Sequence, residues 1–316
     1  MDLRDELRAS AREVLAGGSG WPRLVEAGWP GLEVPEELGG AGVSFAETAV
    51  VLTELGRACG AGGYLGTALA VGALTALPAD TARDALLERM AAGTTAALAT
   101  GFRNLDGSVS GEATFVPDAA RAEIVLLLAG DAVVVADGLT VTARPVLDAT
   151  RALADVTADR AAVVDAWRLP VDPARLTERA AVAIACDSLG VAEAMLTATV
   201  DYVKVRHQFD RPIGSFQAVK HACADMLVRI QVARQLVDAA VADVAAGADA
   251  SVSAAMAKSY ACTAAVDVAG KAMQLHGGIG YTWESGVHGY LKRATLNRSL
   301  FGSPTAHRKS LAQRYD

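Results

Sequence analysis

The stretch that decides the fold is Arg206-His-Gln-Phe-Asp-Arg-Pro-Ile-Gly-Ser-Phe-Gln217. Apolar residues recur at helical spacing on both sides of it, which predicts a long helix before it and another after it. Pro212 and Gly214 break that pattern between the two helices. The short connection therefore presents a cation, an amide and an aromatic ring, which together can hold a planar cofactor that carries phosphate: Arg206, Gln208 and Phe209.

The C-terminal part of the chain, residues 171–316, is predicted to be a four-helix bundle. Long helices joined by short loops lie antiparallel to their neighbours, which is the arrangement of a bundle. The last helix begins at Pro304, a favoured first helical position. The predicted helices span residues 173–205, 215–247, 250–275, 284–298 and 304–314.

The N-terminal part, residues 1–92, is also predicted to be helical. Ser44 followed by Glu47 forms a capping box, which marks the start of one helix. Gly and Pro cluster between residues 28 and 42, so that segment is predicted to be a structured turn region. The predicted helices span residues 1–16, 21–27, 44–59, 64–77 and 80–90.

The middle part, residues 93–170, changes to short β-type runs separated by Asp-Gly turns. No connection of helix length separates these runs, so the strands are predicted to be mostly antiparallel. The segment Asp106-Gly-Ser-Val-Ser-Gly111 predicts a hairpin that leads into a further strand through Asp118. The other predicted strands span residues 96–100, 124–128, 132–136, 139–145 and 161–164.

Composition excludes several classes of partner. The formal net charge of −7 argues against a nucleic acid or an anionic membrane. No run of about twenty large apolar residues is present, so no membrane span is expected. The charged N-terminal stretch lacks an apolar signal core, which predicts a cytoplasmic protein. The four cysteines are far apart and no His, Cys or acidic set has metal-ligand spacing, so we expect reduced thiols and no metal.

Three segments resemble signatures of the acyl-CoA dehydrogenase family. They are Gly28-Trp-Pro-Gly-Leu-Glu-Val-Pro-Glu-Glu-Leu-Gly-Gly40, the Arg206–Gln217 stretch followed by Ala224-Asp225-Met226, and Gln274-Leu-His-Gly-Gly-Ile-Gly-Tyr-Thr-Trp-Glu284. The resemblance covers nearly the whole chain. It implies a helical N-terminal domain, a middle antiparallel β domain and a C-terminal four-helix bundle. It also implies FAD-dependent oxidation of an acyl-CoA to the 2,3-enoyl-CoA, with an electron-transfer flavoprotein as the expected acceptor.

Half of the family's flavin site is kept. By resemblance, the residues that one subunit lends to the FAD of its dimer partner are Arg206, Gln208, Phe209, Gln274 and Gly278. Gly277 and Gly278 also let backbone N–H groups approach a phosphate or ribose closely. The alternatives are a solvated cation at a helix end and an ordinary helix stop. His276 either touches the cofactor or finishes its helix, and His221 is expected to be a packing or interface residue.

The other half is missing. The family's Thr-Glu-Pro-x-x-Gly-Ser-Asp segment, which hydrogen-bonds the flavin ring within the same subunit, is replaced by Ala99–Leu105. Gly302 stands where the family carries its catalytic glutamate, so no catalytic residue is assigned to this chain. Some members move this base to the position of Ala180, and the nearest acids are Glu178 and Asp187. Glu178 lies on the opposite helix face, and Asp187 is expected to pair with a cation such as Arg206 or Lys204.

The resemblance therefore implies the smaller, non-catalytic subunit of an actinobacterial α2β2 acyl-CoA dehydrogenase that acts on CoA esters of steroid fragments. Its FAD would be shared with a catalytic paralogue that carries the missing parts. One alternative is a stand-alone flavoenzyme of altered chemistry, an oxidase or a dehydratase, in which Asp187 or Glu178 is catalytic. Another is a flavin-free scaffold subunit.

Overall fold

The computed structural model describes residues 3–314, apart from the side chain of Leu105. The chain forms two compact units, residues 1–51 with 61–180 and residues 52–60 with 181–316. Apart from residues 52–60, the N-terminal helices share the first unit with the sheet, and the division into three domains at residues 92 and 170 stays a prediction. Residues 1–2 of the first predicted helix and 315–316 of the predicted bundle domain lie outside the described part.

The N-terminal helices form where the periodicity predicted them. Their bounds are α1 Leu3–Ala16, α2 Trp21–Glu26, α3 Phe45–Arg57, α4 Tyr64–Thr75 and α5 Thr81–Ala91. The predicted capping box is confirmed, because the Ser44 N–H donates to Glu47 Oε2 at 3.0 Å and Ser44 Oγ accepts from the Ala46 N–H at 3.1 Å. α4 is buried along almost its whole length.

The middle of the chain is a six-stranded sheet. The strands are β1 Ala96–Leu105, β2 Ser108–Pro117, β3 Ile124–Ala129, β4 Ala132–Asp137, β5 Thr140–Arg144 and β6 Leu153–Arg168. Their order is β2-β1-β3-β4-β6-β5, and β2 also pairs with β6, which closes a ring. Only β1 and β3 are parallel among the pairs of this sheet. The prediction of a mostly antiparallel arrangement is thus confirmed.

β6 is much longer than the predicted strand at residues 161–164. Its first half, Leu-Ala-Asp-Val-Thr-Ala-Asp-Arg, is rich in Ala and Asp, which have low strand propensity. That half nevertheless pairs with two neighbours, since Thr157 lies opposite Thr140 on β5 and opposite Glu112 on β2. Tertiary pairing therefore overrides a weak local preference.

The second unit is helical, and α8 lies at its centre. The elements are α6 Ala174–Val205, which begins in the first unit, then β7 His207–Gln208, β8 Arg211–Pro212, α7 Gln217–Ala245, α8 Ser251–His276, α9 Val287–Ser299 and α10 Pro304–Ala312. α8 packs against α7, α9 and α10, and its Ala-rich faces are buried. Small side chains let these helices approach closely. The predicted bundle is confirmed.

α6 is unusually long and apolar among the described helices. Among the described helices it alone is long and apolar enough to cross a membrane by those two measures. However, 78% of its most apolar 18-residue window is buried inside the protein. That burial is what a core helix shows.

Candidate flavin-contact site

The Arg206 stretch forms a tight hairpin at the end of α6. The Arg206 N–H donates to Tyr202 O at 2.9 Å, and Arg206 O accepts from the Ile213 N–H at 2.7 Å. The two-residue turn between β7 and β8 has φ of 53° at Phe209 and 60° at Asp210. Positive φ at both central positions is typical of a hairpin turn whose twist matches its strands.

The hairpin directs its predicted contact residues into solvent. Arg206 and Gln208 are exposed, and Phe209 is 86% exposed. Phe209 is a bulky residue in a left-handed conformation, which persists only where its surroundings determine it. Its ring meets the edge of Phe216 at 6.2 Å. The hairpin therefore presents a pre-positioned aromatic ring beside a cation and an amide.

The second predicted segment begins where α8 ends. Gly277 has φ 62° and ψ −143°, a conformation open only to glycine, and it turns the chain into a short 3-10 helix, Gly277–Tyr281. Gln274, Gly277 and Gly278 are all exposed. No atom would contact a Cβ at Gly278 within 4 Å, so its backbone is open to approach.

Tyr202 and His276 bring these two segments to one end of the second unit. Their rings stack with centroids 4.5 Å apart, and Tyr202 Oη donates to His276 O at 3.3 Å. Tyr202 lies one helical turn before Arg206, and His276 directly precedes Gly277. His276 is 7% exposed, and its Nδ1 lies 2.8 Å from Ala272 O. His276 therefore ends its helix and supports the two contact segments through its stack on Tyr202.

The assembled set suits one face of a flavin nucleotide. A guanidinium can fork onto a pyrophosphate, an amide offers donors and an acceptor, and free backbone N–H groups can contact phosphate or ribose. All six residues are exposed. A group contacted by them needs most of its binding surface from another molecule.

The segment that would bind the flavin ring within the same subunit lies in a β-strand here, with an irregularity at Gly101, whose φ is 103°. Residues 99–105 lie in β1, where Phe102 pairs with Gly111 on β2 and Thr100 pairs with Leu128 on β3. Backbone groups used in a ladder are not available to a ligand. Ala99 and Phe102 are buried in the sheet core. This segment does not fit the ring-binding role.

The turn that would carry the catalytic base is closed. Gly302 has φ 95°, and a Cβ built there would lie 2.8 Å from His307 Nε2. His307 Nε2 itself lies 2.9 Å from Phe301 O. The Lys258 ammonium donates to Gly302 O at 2.9 Å and to Asn297 O at 3.0 Å. The turn thus lacks a carboxylate and is held in place from two sides.

His307 makes the stability of this turn dependent on pH. Burial lowers the pKa of the imidazole below its ordinary value of 6.5, and the Lys258 cation lowers it further, against the opposing hydrogen bond to Phe301 O. The unfolded chain therefore binds the proton first as the pH falls. We expect stability to be fully present above pH 6.5 and to fall between 6.5 and the lower pKa of the folded state. Denaturant unfolding between pH 5 and 8 measures this, and H307Q is expected to flatten the slope.

Asp187 is a structural residue of the second unit. It is 1% exposed, and its carboxylate accepts from Arg293 Nε at 2.9 Å and Nη2 at 2.5 Å and from Asn297 Nδ2 at 2.6 Å. The expectation that it pairs with Arg206 or Lys204 is wrong. Arg206 is exposed, and Lys204 lies 3.9 Å from Asp201. The true partner is 106 residues away in sequence.

Lys258 belongs to the same buried network and was not predicted. Asn297 Nδ2 also donates to Ser188 Oγ, which lies 3.3 Å from Cys262 Sγ, one helical turn after Lys258. Burial lowers the pKa of Lys258, which is 0% exposed. The sequence signal that could have pointed to this buried cation was a lysine directly after an alanine in the Ala-rich first half of α8. Glu178, the other acid considered, is partly exposed on the first turns of α6 and belongs to the first unit.

The comparisons with known proteins agree with the fold and the signatures. The acyl-CoA dehydrogenase N-terminal domain model matches residues 3–94, and the C-terminal domain model matches residues 175–315. An acyl-CoA dehydrogenase, IpdE2, of Mycolicibacterium smegmatis is 37% identical over 90% of this chain and 84% of its own length. IpdE2 of Mycobacterium tuberculosis is 38% identical over 94% of this chain and 88% of its own length. The chain belongs to the acyl-CoA dehydrogenase family of FAD-dependent oxidoreductases.

Solved structures include two assemblies that carry paired names. A variant of the Tcur3481-Tcur3483 steroid ACAD is 26% identical, with a TM-score of 0.87 over 98% of this chain and 96% of that one. The ChsE4-ChsE5 complex of Mycobacterium tuberculosis has a TM-score of 0.91 over 100% of this chain and 97% of that one. At 24% identity, this match supports the fold alone.

Proposed function

We propose that this chain is the smaller subunit of a heteromeric acyl-CoA dehydrogenase. It lends Arg206, Gln208, Phe209, Gln274, Gly277 and Gly278 to an FAD held mainly by a catalytic paralogue, in an α2β2 complex with one FAD per heterodimer. The paralogue supplies the carboxylate that removes the α-proton of the acyl-CoA. When bound, FAD accepts the β-hydride, so that a 2,3 double bond forms.

One contrast carries the proposal. The exposed contact set is complete and held together at one end of the second unit, while position 302 is a glycine whose side-chain space His307 fills. A homodimer would therefore have neither the base nor the ring-binding segment. A partner that carries both would complete one site.

Five of the six residues have a defined task in that site. Arg206 binds the pyrophosphate, and Gln208 orients the nucleotide by hydrogen bonds. Phe209 covers a planar face and excludes water from it. Gly277 and Gly278 offer backbone N–H groups without a side chain in the way. None of these residues moves a substrate proton.

A solved neighbour supports a proposal for the substrate class. The Tcur3481-Tcur3483 assembly is a steroid ACAD, which favours a steroid-derived CoA ester as the substrate here. Reoxidation by an electron-transfer flavoprotein in the cytoplasm is proposed from family membership.

Co-expression with a paralogue that carries the base and the ring-binding segment tests the function. Alone, the chain is expected to be colourless and inactive with acyl-CoA, and the complex is expected to be yellow and active. R206A is expected to weaken flavin binding in the complex about 10- to 100-fold, the loss of a hydrogen-bonded charge. Flavin absorbance after desalting and titration of the apo-complex with FAD measure this.

The matched control is R211A. Arg211 lies in the same hairpin, but its guanidinium stacks 4.1 Å over the Phe216 ring, so its removal is expected to leave flavin binding nearly unchanged. A lone chain that is yellow and dehydrogenates acyl-CoA would contradict the proposal in favour of a stand-alone enzyme. A complex that keeps its full flavin content with R206A would leave only a scaffold role.

A further inference from the structure

The segment after Gly278 exposes three large apolar side chains in a row of alternate residues. Ile279 is 44% exposed, Tyr281 is 67% exposed and Trp283 is 82% exposed. Surface tryptophan and tyrosine of this extent are uncommon in a free protein and are enriched where partners bind. The flavin-contact role assigned above does not use these side chains.

Trp283 is held in position from two sides. The Lys292 ammonium lies 4.9 Å from the centroid of its indole ring, and the His288 ring meets it at 4.4 Å and 81°. A cation over an indole face is attractive, so the exposed ring has a preferred orientation. An ordered aromatic side chain loses little entropy when a partner covers it.

The His288 side chain, which lies against that ring, makes no hydrogen bond through its ring nitrogens within residues 3–314. Both of these nitrogens are buried. A buried polar atom without a partner is costly, so such atoms normally find one. Because both nitrogens are buried, His288 acts here as a packing partner of the indole ring and offers no atom to a docked molecule.

We propose that Tyr281 and Trp283 form a docking surface for the catalytic paralogue, with His288 packed against the indole ring. The inference rests on the proposed function and adds the residues that hold the complex together. Trp283 follows Gly278 by five residues, so it lies at most about 17 Å away. If Gly278 touches a flavin held inside the paralogue, Trp283 lies within reach of that protein's surface. The matching surface is an apolar slot for the two aromatic rings.

The experiment measures assembly separately from flavin binding. The W283A chain and the wild-type chain are titrated against the flavin-loaded paralogue, and the dissociation constant is determined by light scattering and by fluorescence anisotropy. W283A is expected to weaken assembly about 30-fold or more, the effect of a central aromatic contact. Y281A is a second variant in case W283A lowers the thermal stability of the lone chain. L147A is the control, because Leu147 is 79% exposed and belongs to the first unit.

The outcomes separate the two proposals. If W283A and Y281A both assemble as the wild-type chain does, while R206A loses flavin, the docking surface is overturned. The proposed function is then still supported. If W283A weakens self-association of the lone chain but leaves heteromer formation normal, the surface binds a second copy of this chain. That outcome also overturns the proposed docking of the paralogue. Failure of the wild-type chain to bind any such paralogue overturns both.

Discussion

D187A is expected to lower the free energy of unfolding by about 3–5 kcal/mol, the cost of breaking a buried ion pair by removing one partner. The Arg293 guanidinium, 2% exposed, would keep its charge and lose its carboxylate. Asn297 would lose an acceptor at the same time. Urea denaturation of the lone chain, followed by far-UV circular dichroism, measures the change.

Two controls make the result specific. D201A removes an exposed acid from the same helix, whose partner Lys204 lies 3.9 Å away, and is expected to cost less than about 1 kcal/mol. The double variant D187L/R293M replaces the pair by apolar side chains and is expected to recover most of the loss. A change below about 1 kcal/mol in D187A would contradict the structural role and would reopen a catalytic role for Asp187.

G302E is expected to restore no dehydrogenase activity to the lone chain, although it puts a carboxylate at the family's catalytic position. A side chain at φ 95° is strained, at about 1–3 kcal/mol. The new Cβ would also meet His307 Nε2 at 2.8 Å. The ring-binding segment would still be absent. Acyl-CoA-dependent dye reduction and thermal unfolding measure the two effects.

The cost of this substitution can be divided experimentally. Gly107 also has positive φ, 80°, but a Cβ there meets no atom within 4 Å. G107A therefore isolates the backbone strain, and the larger loss expected for G302A measures the contact with His307. G302E/H307A is expected to recover the part of the stability loss that the contact with His307 causes. Acyl-CoA oxidation by the G302E chain alone would show that the lost base is the only difference from an active subunit.

Much of the fold is local and was therefore predictable. Helical spacing of apolar residues set the helices of both units, and the pair Ser44 and Glu47 set the start of α3 through contacts three residues apart. The short connection at Arg206 follows from Pro212 and Gly214, which break the helical pattern, whereas the positive φ of Phe209 depends on its surroundings. The contact set of Arg206, Gln208, Phe209, Gln274 and the two glycines was chosen from the sequence, and its role in flavin binding stays a prediction.

Other features depend on contacts between distant residues. The partner of Asp187 was predicted wrongly because a charge in sequence does not reveal which distant cation a helix packing brings to it. β6 was predicted too short because its pairing energy comes from three other strands. The stack of Tyr202 on His276, which unites the two halves of the contact set, joins the ends of two helices that are 74 residues apart.

The sequence by itself determined that this chain is an α–β–α member of a flavin-dependent family with glycine at position 302, and it supplied the candidate flavin-contact residues. Those properties depend on local periodicity, turn chemistry and the identity of single residues. Only the tertiary structure decided that the candidate residues are exposed at one end of the second unit, that His307 and Lys258 close the turn at Gly302, and that Trp283 is largely exposed. Such properties arise from packing and burial, which bring together residues that no sequence spacing relates.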